Sequence, residues 1–348
     1  MSREVIDYAT YTHRFLAEGV TYRDIVDIRE SVKDIEQWAP TWARFAQAAE
    51  ERAARARAAG LALTAGTELA RASIYYFFAQ FLLWQDPVAK RAAYDSCARA
   101  FAEGAPLLDP PFERLEIPFE DLTLPAYLRL PRGVTRPPIV VLLNGLDTTK
   151  EEQLVISNHC VQRGLATLSF DGPGSGETFP RRKLTPANDR AVYAVLDFLE
   201  RRRDIDFARL GLIGRSLGGH FAPKAAANDR RVKAVVAWGA MYHLRNYATI
   251  PENTRNVFVH ATGARSVDEA RPFFDGISLE GVASRITCPL MIVHGGRDPI
   301  TPADNAHRLR AEAKGPVEML FWEDGLHCAH DRPHICRPAM ADFMLRHL

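Results

Sequence analysis

The chain lacks the features that would tie it to a membrane, a disulfide framework or a polyanionic partner. Its five cysteines (Cys97, Cys160, Cys288, Cys328 and Cys336) are odd in number and scattered, a pattern that fits reduced thiols better than cross-links. The longest apolar run, Ile74 to Trp84, falls well short of the ~20 residues a membrane helix needs. Neither sign of charge dominates: the net charge is +1, so no electrostatic footprint for nucleic acid or an anionic surface is expected. The opening Met1-Ser2-Arg3-Glu4 is charged and has no apolar stretch behind it, so no secretory signal is expected. Repeats and low-complexity tracts are absent. A protein of the cytoplasm, working on a small molecule without membrane or nucleic acid, is the expectation.

What is present is a large apolar fraction, 47% of 348 residues, enough for one big core and an accessory region. Residues 1–112 read as helical throughout. Gly19, Gly60 and Gly104 each stand where a periodic segment ends, as C-terminal caps do. Asp86-Pro87 reads as an N-cap followed by proline at the first helical position. The helix expected from about Thr64 to Trp84 carries Ile74, Tyr75, Phe77, Phe78, Phe81, Leu82 and Trp84. That stripe is too broad for an exposed helix and is expected to pack against something large, the next domain being the natural partner.

From residue 113 to 348 the texture changes. Two proline-bearing edge strands are expected at Leu115–Phe119 and Leu124–Leu130. Strand and helix patterns then alternate, the signature of a mostly parallel sheet with helices on both faces. The expected strands are 139–143, 166–170, 210–213, 232–238, 290–293 and 317–321. The rhythm breaks once, at Met241 to Arg285, which reads as an insertion at the carboxyl edge of the sheet, where loops build sites.

Gly214-Arg215-Ser216-Leu217-Gly218 follows an apolar strand and opens an alanine-rich helix. A bare Gly-x-Ser-x-Gly arises by chance in roughly one chain of this length in ten, so the strand–turn–helix setting carries the weight. A serine nucleophile must stand on a strained turn, with glycines on either side letting strand and helix approach. A serine needs a base and the base an orienting carboxylate. Asp298, in His294-Gly295-Gly296-Arg297-Asp298-Pro299, and His327, in Asp324-Gly325-Leu326-His327-Cys328, each follow a strand. The order Ser, Asp, His, each just beyond its own strand, is that of the α/β-hydrolases. Asp324 is the alternative acid, and His330 and His334 the alternative bases. The oxyanion hole is expected from the backbone amides of Leu217 and of Leu146, in Asn144-Gly145-Leu146-Asp147-Thr148-Thr149-Lys150-Glu151, with Asp147, Lys150 and Glu151 bracing that loop. Asp171-Gly172-Pro173-Gly174-Ser175-Gly176 fits neither the dinucleotide nor the P-loop spacing and reads as a tight turn under the pocket. The His327, Cys328, His330, His334, Cys336 cluster matches no zinc template, so no metal is expected.

The helical N-terminal region, Asn144 to Glu151, Gly214 to Gly219 and the Asp-Gly-x-His-Cys ending together resemble a group of α/β-hydrolases. The group contains the 2,6-dihydroxypseudooxynicotine hydrolase of nicotine breakdown, FrsA-like esterases and fungal polyketide-shortening hydrolases. The resemblance covers nearly the whole chain. It implies an α/β-hydrolase core under an N-terminal helical cap, a Ser-His-Asp triad, no cofactor and a homodimer. It further implies hydrolysis of an acyl bond in a small, aromatic compound: an ester, an amide, or the C–C bond of an activated ketone. Acyl transfer or polyketide processing would use the same residues, and a catalytically silent binding protein would lack one of them. The nicotine-pathway member carries acidic residues after the strand that follows the nucleophile helix. Here that stretch reads Met241-Tyr242-His243-Leu244-Arg245, with no carboxylate before Glu252. Tyr242, His243 and Arg245 are therefore expected to contact a neutral or anionic substrate rather than a cationic amine, with Arg245 as a surface anchor the alternative. By position, His243 is also a candidate to assist ketone protonation.

Overall fold

The computed structural model describes residues 8–245 and 247–348; the charged start of the chain lies outside them. Two compact units divide at Glu113 and Arg114.

The first unit is helical: α1 (Tyr8–Ala17), α2 (Tyr22–Ser31), α3 (Trp38–Ala58), α4 (Ala62–Gln80) and α5 (Pro87–Gly104). Its core is built on the aromatic face of α4. Tyr75, Phe77, Phe78 and Phe81 bury against Phe15, Trp38 and Trp42, with Phe15 and Phe78 edge to face at 4.7 Å. The broad stripe thus finds its partner inside its own unit. Asp86 caps α5 by accepting from the Ala89 amide at 2.9 Å, and Gly19 and Gly60 take the left-handed conformation of terminal caps (φ 93° and 73°). Gly104 does not: its φ is −82°. It is small for another reason, because a Cβ there would stand 2.8 Å from Leu69 Cβ on α4.

The second unit holds an eight-stranded sheet in the order β1-β2-β4-β3-β5-β6-β7-β8. The strands are β1 (Phe112–Phe119), β2 (Leu122–Arg129), β3 (Pro138–Leu143), β4 (Ala166–Phe170), β5 (Asp206–Arg215), β6 (Val232–Trp238), β7 (Leu290–Gly295) and β8 (Val317–Trp322). β2 runs antiparallel to β4, and the strands from β4 through β8 are parallel. The helices are α6 (Leu154–Val161), α7 (Asp189–Leu199), α8 (Gly218–Asn228), α9 (Glu252–Thr262), α10 (Arg271–Gly276), α11 (Asp304–Glu312) and α12 (Pro333–His347). Alternation along the strands sends Val140, Leu142, Ile213, Val236 and Val293 toward α6 and α12, while α8 packs on β5 and β6. β5 is longer than the apolar run 210–213, because its first residues pair with β3 while facing solvent. α12 begins at Pro333, in the first turn where a missing N–H costs nothing. The interval 241–285 holds α9 and α10, tied down by a bridge between His243 and Ser278. Among the described residues no helix is long and apolar enough to cross a membrane.

Candidate active site

Four strand ends at the carboxyl edge supply the site. β5 ends at Arg215, and the turn into α8 puts Ser216 in the left-handed region at φ 55°, a conformation that costs a non-glycine residue about 1–3 kcal/mol. The turn is held from below. The Ser216 amide donates to the Trp238 carbonyl at the end of β6 at 2.7 Å. The flanking glycines are required by contact, since a Cβ on Gly214 would lie 2.0 Å from the Gly218 carbonyl oxygen, and one on Gly218 would lie 2.5 Å from that of Leu143.

Asp298 and His327 arrive on the loops after β7 and β8. His327 Nε2 lies 3.1 Å from Ser216 Oγ, and its Nδ1 lies 2.6 Å from Asp298 Oδ2. Because the carboxylate can only accept, Nδ1 carries the proton and Nε2 presents a lone pair to the serine hydroxyl. Asp298 is fully buried on its side chain. Its Oδ1 accepts from the Ile300 and Thr301 amides at 2.8 and 2.9 Å, and its Oδ2 also accepts from the Thr301 hydroxyl at 2.5 Å. Thr301 is itself fixed by His294, whose Nε2 lies 2.8 Å from the Thr301 carbonyl oxygen. Burial alone would raise the Asp298 pKa, but the His327 charge and these hydrogen bonds hold it below its usual value. Burial likewise opposes a charge on His327, yet Asp298 outweighs it and lifts the imidazole well above the ordinary histidine range. The His327 loop is pinned by the Trp238 indole, which donates to the Cys328 carbonyl at 2.5 Å, and by the Leu326 amide on Asp331 at 3.1 Å.

The loop after β3 lies directly against Ser216. A Cβ on Gly145 would sit 3.3 Å from Ser216 Cβ. A buried ionic network fixes this loop. The Lys150 ammonium, its side chain fully buried, meets Glu151 at 2.5 Å, Asp171 at 2.8 Å and Glu177 at 2.6 Å. Asp171 also accepts from the Lys150 amide at 2.9 Å, and Arg114 grips both oxygens of Glu177 at 2.8 Å. Burial would discharge Lys150, but Asp171, Glu151 and Glu177 together hold it protonated, far above its normal pKa. Glu151 is pushed up by burial. Glu177, bound by Arg114 and Lys150 against the pull of burial, falls to about 2. The next residue, Glu152, pairs with Arg215 at 2.9 Å, both buried, which couples the loop to the residue preceding Ser216. Lys150 and Glu151 therefore brace the loop. Asp171 closes the glycine-rich turn after β4, receiving the Glu177 amide at 3.1 Å.

The three carboxylates Glu151, Asp171 and Glu177 are the group of described residues whose ligand atoms converge closely enough for a cation, and the Lys150 ammonium fills that position. Of the C-terminal histidines and cysteines, His330 is buried edge-on to Trp238 and His334 is exposed. Asp324, the alternative acid, is exposed and pairs with Arg332.

The residues expected to touch substrate are placed differently. Arg245 is exposed and ion-paired with the exposed Glu280, so it anchors the insertion. Tyr242 buries its ring and donates its hydroxyl to Glu312 on α11 at 2.7 Å. His243 is half-buried beside its bridge to Ser278, and burial, then Arg308 and Arg245, lower its pKa. Tyr242 and His243 are held against α11, where the Asn305 side chain accepts from both of their amides at 2.9 and 3.2 Å.

The Esterase FrsA-like family matches residues 23–315. The chain belongs to that family. It is 33% identical over 334 residues to "2,6-dihydropseudooxynicotine hydrolase" of Paenarthrobacter nicotinovorans, covering 95% of this chain and 90% of that one. It is 32% identical to "Hydrolase LUC6" of a Fusarium species over 83% of this chain and 81% of the relative. The solved 2,6-dihydroxy-pseudo-oxynicotine hydrolase superposes with a TM-score of 0.90 at 32% identity, over 97% of this FrsA-like chain and 95% of the other. AbyA5, at 20% identity and a TM-score of 0.78, shares the fold. The chain is thus an α/β-hydrolase with an N-terminal helical region, and an enzyme.

Proposed function

We propose that this FrsA-like enzyme hydrolyses a small aromatic acyl compound through an acyl-enzyme on Ser216. His327 Nε2 takes the serine proton as Oγ attacks the carbonyl, and Asp298 stabilises the imidazolium that forms. The tetrahedral oxyanion rests on the Leu217 amide, which opens α8 and has no helical carbonyl of its own, and on the Leu146 amide. Each such donor contributes roughly 10²–10³ in rate. His327 then protonates the leaving atom. Water, deprotonated by the same imidazole, releases the acid and regenerates Ser216.

The single observation that carries this reading is the continuous chain from Ser216 Oγ through His327 to a buried Asp298, at 3.1 and 2.6 Å. The bond is an ester, an amide or an activated ketone C–C bond; all three meet the same oxyanion and the same acid. The test is steady-state hydrolysis of aryl esters, anilides and β-diketones by wild type and Ser216→Ala. Turnover of β-diketones above that of esters, abolished in Ser216→Ala, assigns a C–C hydrolase. Ester or anilide turnover with inert diketones assigns a carboxyl hydrolase. Turnover unaffected by Ser216→Ala refutes the proposal.

A further inference from the structure

Thr301 lies in the turn that follows Asp298 and is buried with it. The two oxygens of the Asp298 carboxylate meet different groups. Oδ1 accepts from the Ile300 and Thr301 amides and so fixes the turn. Oδ2 faces the base, and there two donors converge: His327 Nδ1 at 2.6 Å and the Thr301 hydroxyl at 2.5 Å. The two donors stand side by side, 3.5 Å apart. The hydroxyl has one proton to give. Its other acceptor, the Gly239 carbonyl after β6, lies at 3.4 Å, so the proton goes to Asp298.

The hydroxyl is not what holds the turn. His294 on β7, its ring parallel to that of Phe321 on β8, donates from Nε2 to the Thr301 carbonyl at 2.8 Å. The Thr301 amide is taken by Asp298 Oδ1 at 2.9 Å. Both bonds belong to the Thr301 backbone and survive a side chain of the same shape, such as valine. The hydroxyl is an addition, and it falls on the one carboxylate oxygen that serves the imidazole.

A hydrogen bond to a carboxylate favours its charged form and draws off part of that charge. Burial works against the charge on Asp298, and His327, His294 and the Thr301 hydroxyl all oppose that pull. Charge drawn toward Thr301 no longer holds the proton on His327. The other titratable groups facing this pair are His294, Cys328 beside the base and, beyond His294, His307 on α11. Asp331, on the turn after His327, is occupied by Arg332 and the Leu326 amide. Asp298 is thus the carboxylate in contact with the imidazole, and whatever weakens its pull is read directly at His327.

We infer that Thr301 is a positioning residue of the proposed triad. By donating to the carboxylate oxygen that His327 uses, it moderates the hold of Asp298 on the imidazole proton and keeps His327 a free base to lower pH. The inference rests on the serine mechanism proposed above and adds a fourth residue to it, one that acts only through Asp298.

His327 can be followed without substrate. In the intact enzyme, with histidine isotopically labelled at nitrogen, the imidazole signal absent from His327→Gln is titrated by NMR in wild type, Thr301→Val and Thr301→Ser. Thr301→Val keeps the shape and loses the hydroxyl. Its His327 midpoint should move about half to one pH unit higher, and the acid limb of kcat/KM should move with it. Thr301→Ser keeps the hydroxyl and should titrate with the wild type. Should Thr301→Val fail to fold, Thr301→Ala removes the same hydroxyl and is read in the same way. A midpoint unmoved or lowered without the hydroxyl, or one that moves equally in Thr301→Ser, overturns the role, because a loss of packing does not depend on the hydroxyl. Undiminished turnover in Ser216→Ala would instead refute the serine mechanism while leaving the titration readable, so the two failures are separable.

Discussion

The two units bury different things. The helical unit hides aromatic surface: Phe15, Trp38, Trp42, Tyr75, Phe77 and Phe78 are wholly inaccessible, and its tyrosine hydroxyls reach outward to Asp24 and Glu50. The hydrolase unit hides charge. Lys150, Glu151, Glu152, Asp171, Arg215 and Asp298 are all buried, and all stand on the turns at the carboxyl ends of β3, β4, β5 and β7. Burying an ion pair is seldom the cheapest route to stability. The contrast therefore shows where the fold gives up stability to hold geometry, on the loops that surround Ser216.

The largest effect that could break this contrast is on the triad. Asp298→Asn removes the negative charge that orients His327 and stabilises its imidazolium, and kcat should fall about 10⁴-fold while the chain stays folded. A loss below tenfold would transfer the role to another acid. Lys150→Met tests the buried network. It leaves Glu151 and Asp171 buried without their cation, and should destabilise the hydrolase unit by about 3–5 kcal/mol in denaturant titrations. Tyr76→Phe, which deletes a hydroxyl bond to Glu50 at the edge of the helical core, should cost about 1 kcal/mol. Equal costs for the two would erase the distinction between the units.

A smaller, sharper test is the pH profile. His327 works as a base only when neutral, and Asp298 holds its pKa above the ordinary value of about 6.5. The acid limb of kcat/KM should therefore have its midpoint on the alkaline side of that value. The stability contributed by the ion pair has the opposite dependence. It is complete below the unfolded-state pKa of histidine and is lost as pH rises through the elevated folded-state value. Activity thus rises where that increment fades. A midpoint below the ordinary value would contradict the assigned coupling. The smallest effect is expected at Arg245→Ala. That exposed pair with Glu280 should change stability by no more than about 0.5 kcal/mol and leave kcat/KM unmoved. A tenfold rise in KM would restore Arg245 to the substrate.

The strand ends were legible because each chemical residue follows an apolar run by one short turn, so Ser216, Asp298 and His327 needed only local pattern and chain order. The bracing role of Lys150 was legible in outline, since a lysine and a glutamate beside a glycine turn point inward or to one another. Its partners were not. Glu177 and Arg114 are 63 residues apart and meet only once β1 and the turn after β4 lie side by side. Arg215 in the serine motif was the available hint, since a charge flanked by buried strand residues demands a partner, and Glu152 supplies it. The aromatic stripe of α4 shows in the sequence as buried, but the next domain, expected as its partner, is replaced by Phe15, Trp38 and Trp42 of its own unit, because periodicity marks an apolar face and not what covers it.

The most direct test of the central claim is to label the intact enzyme with a fluorophosphonate and map the adduct by mass spectrometry. One phosphonyl group on the peptide containing Ser216, absent from Ser216→Ala and accompanied by loss of turnover, is the predicted result. An unlabelled Ser216 in an enzyme that still turns over, or inactivation through another residue, would contradict it.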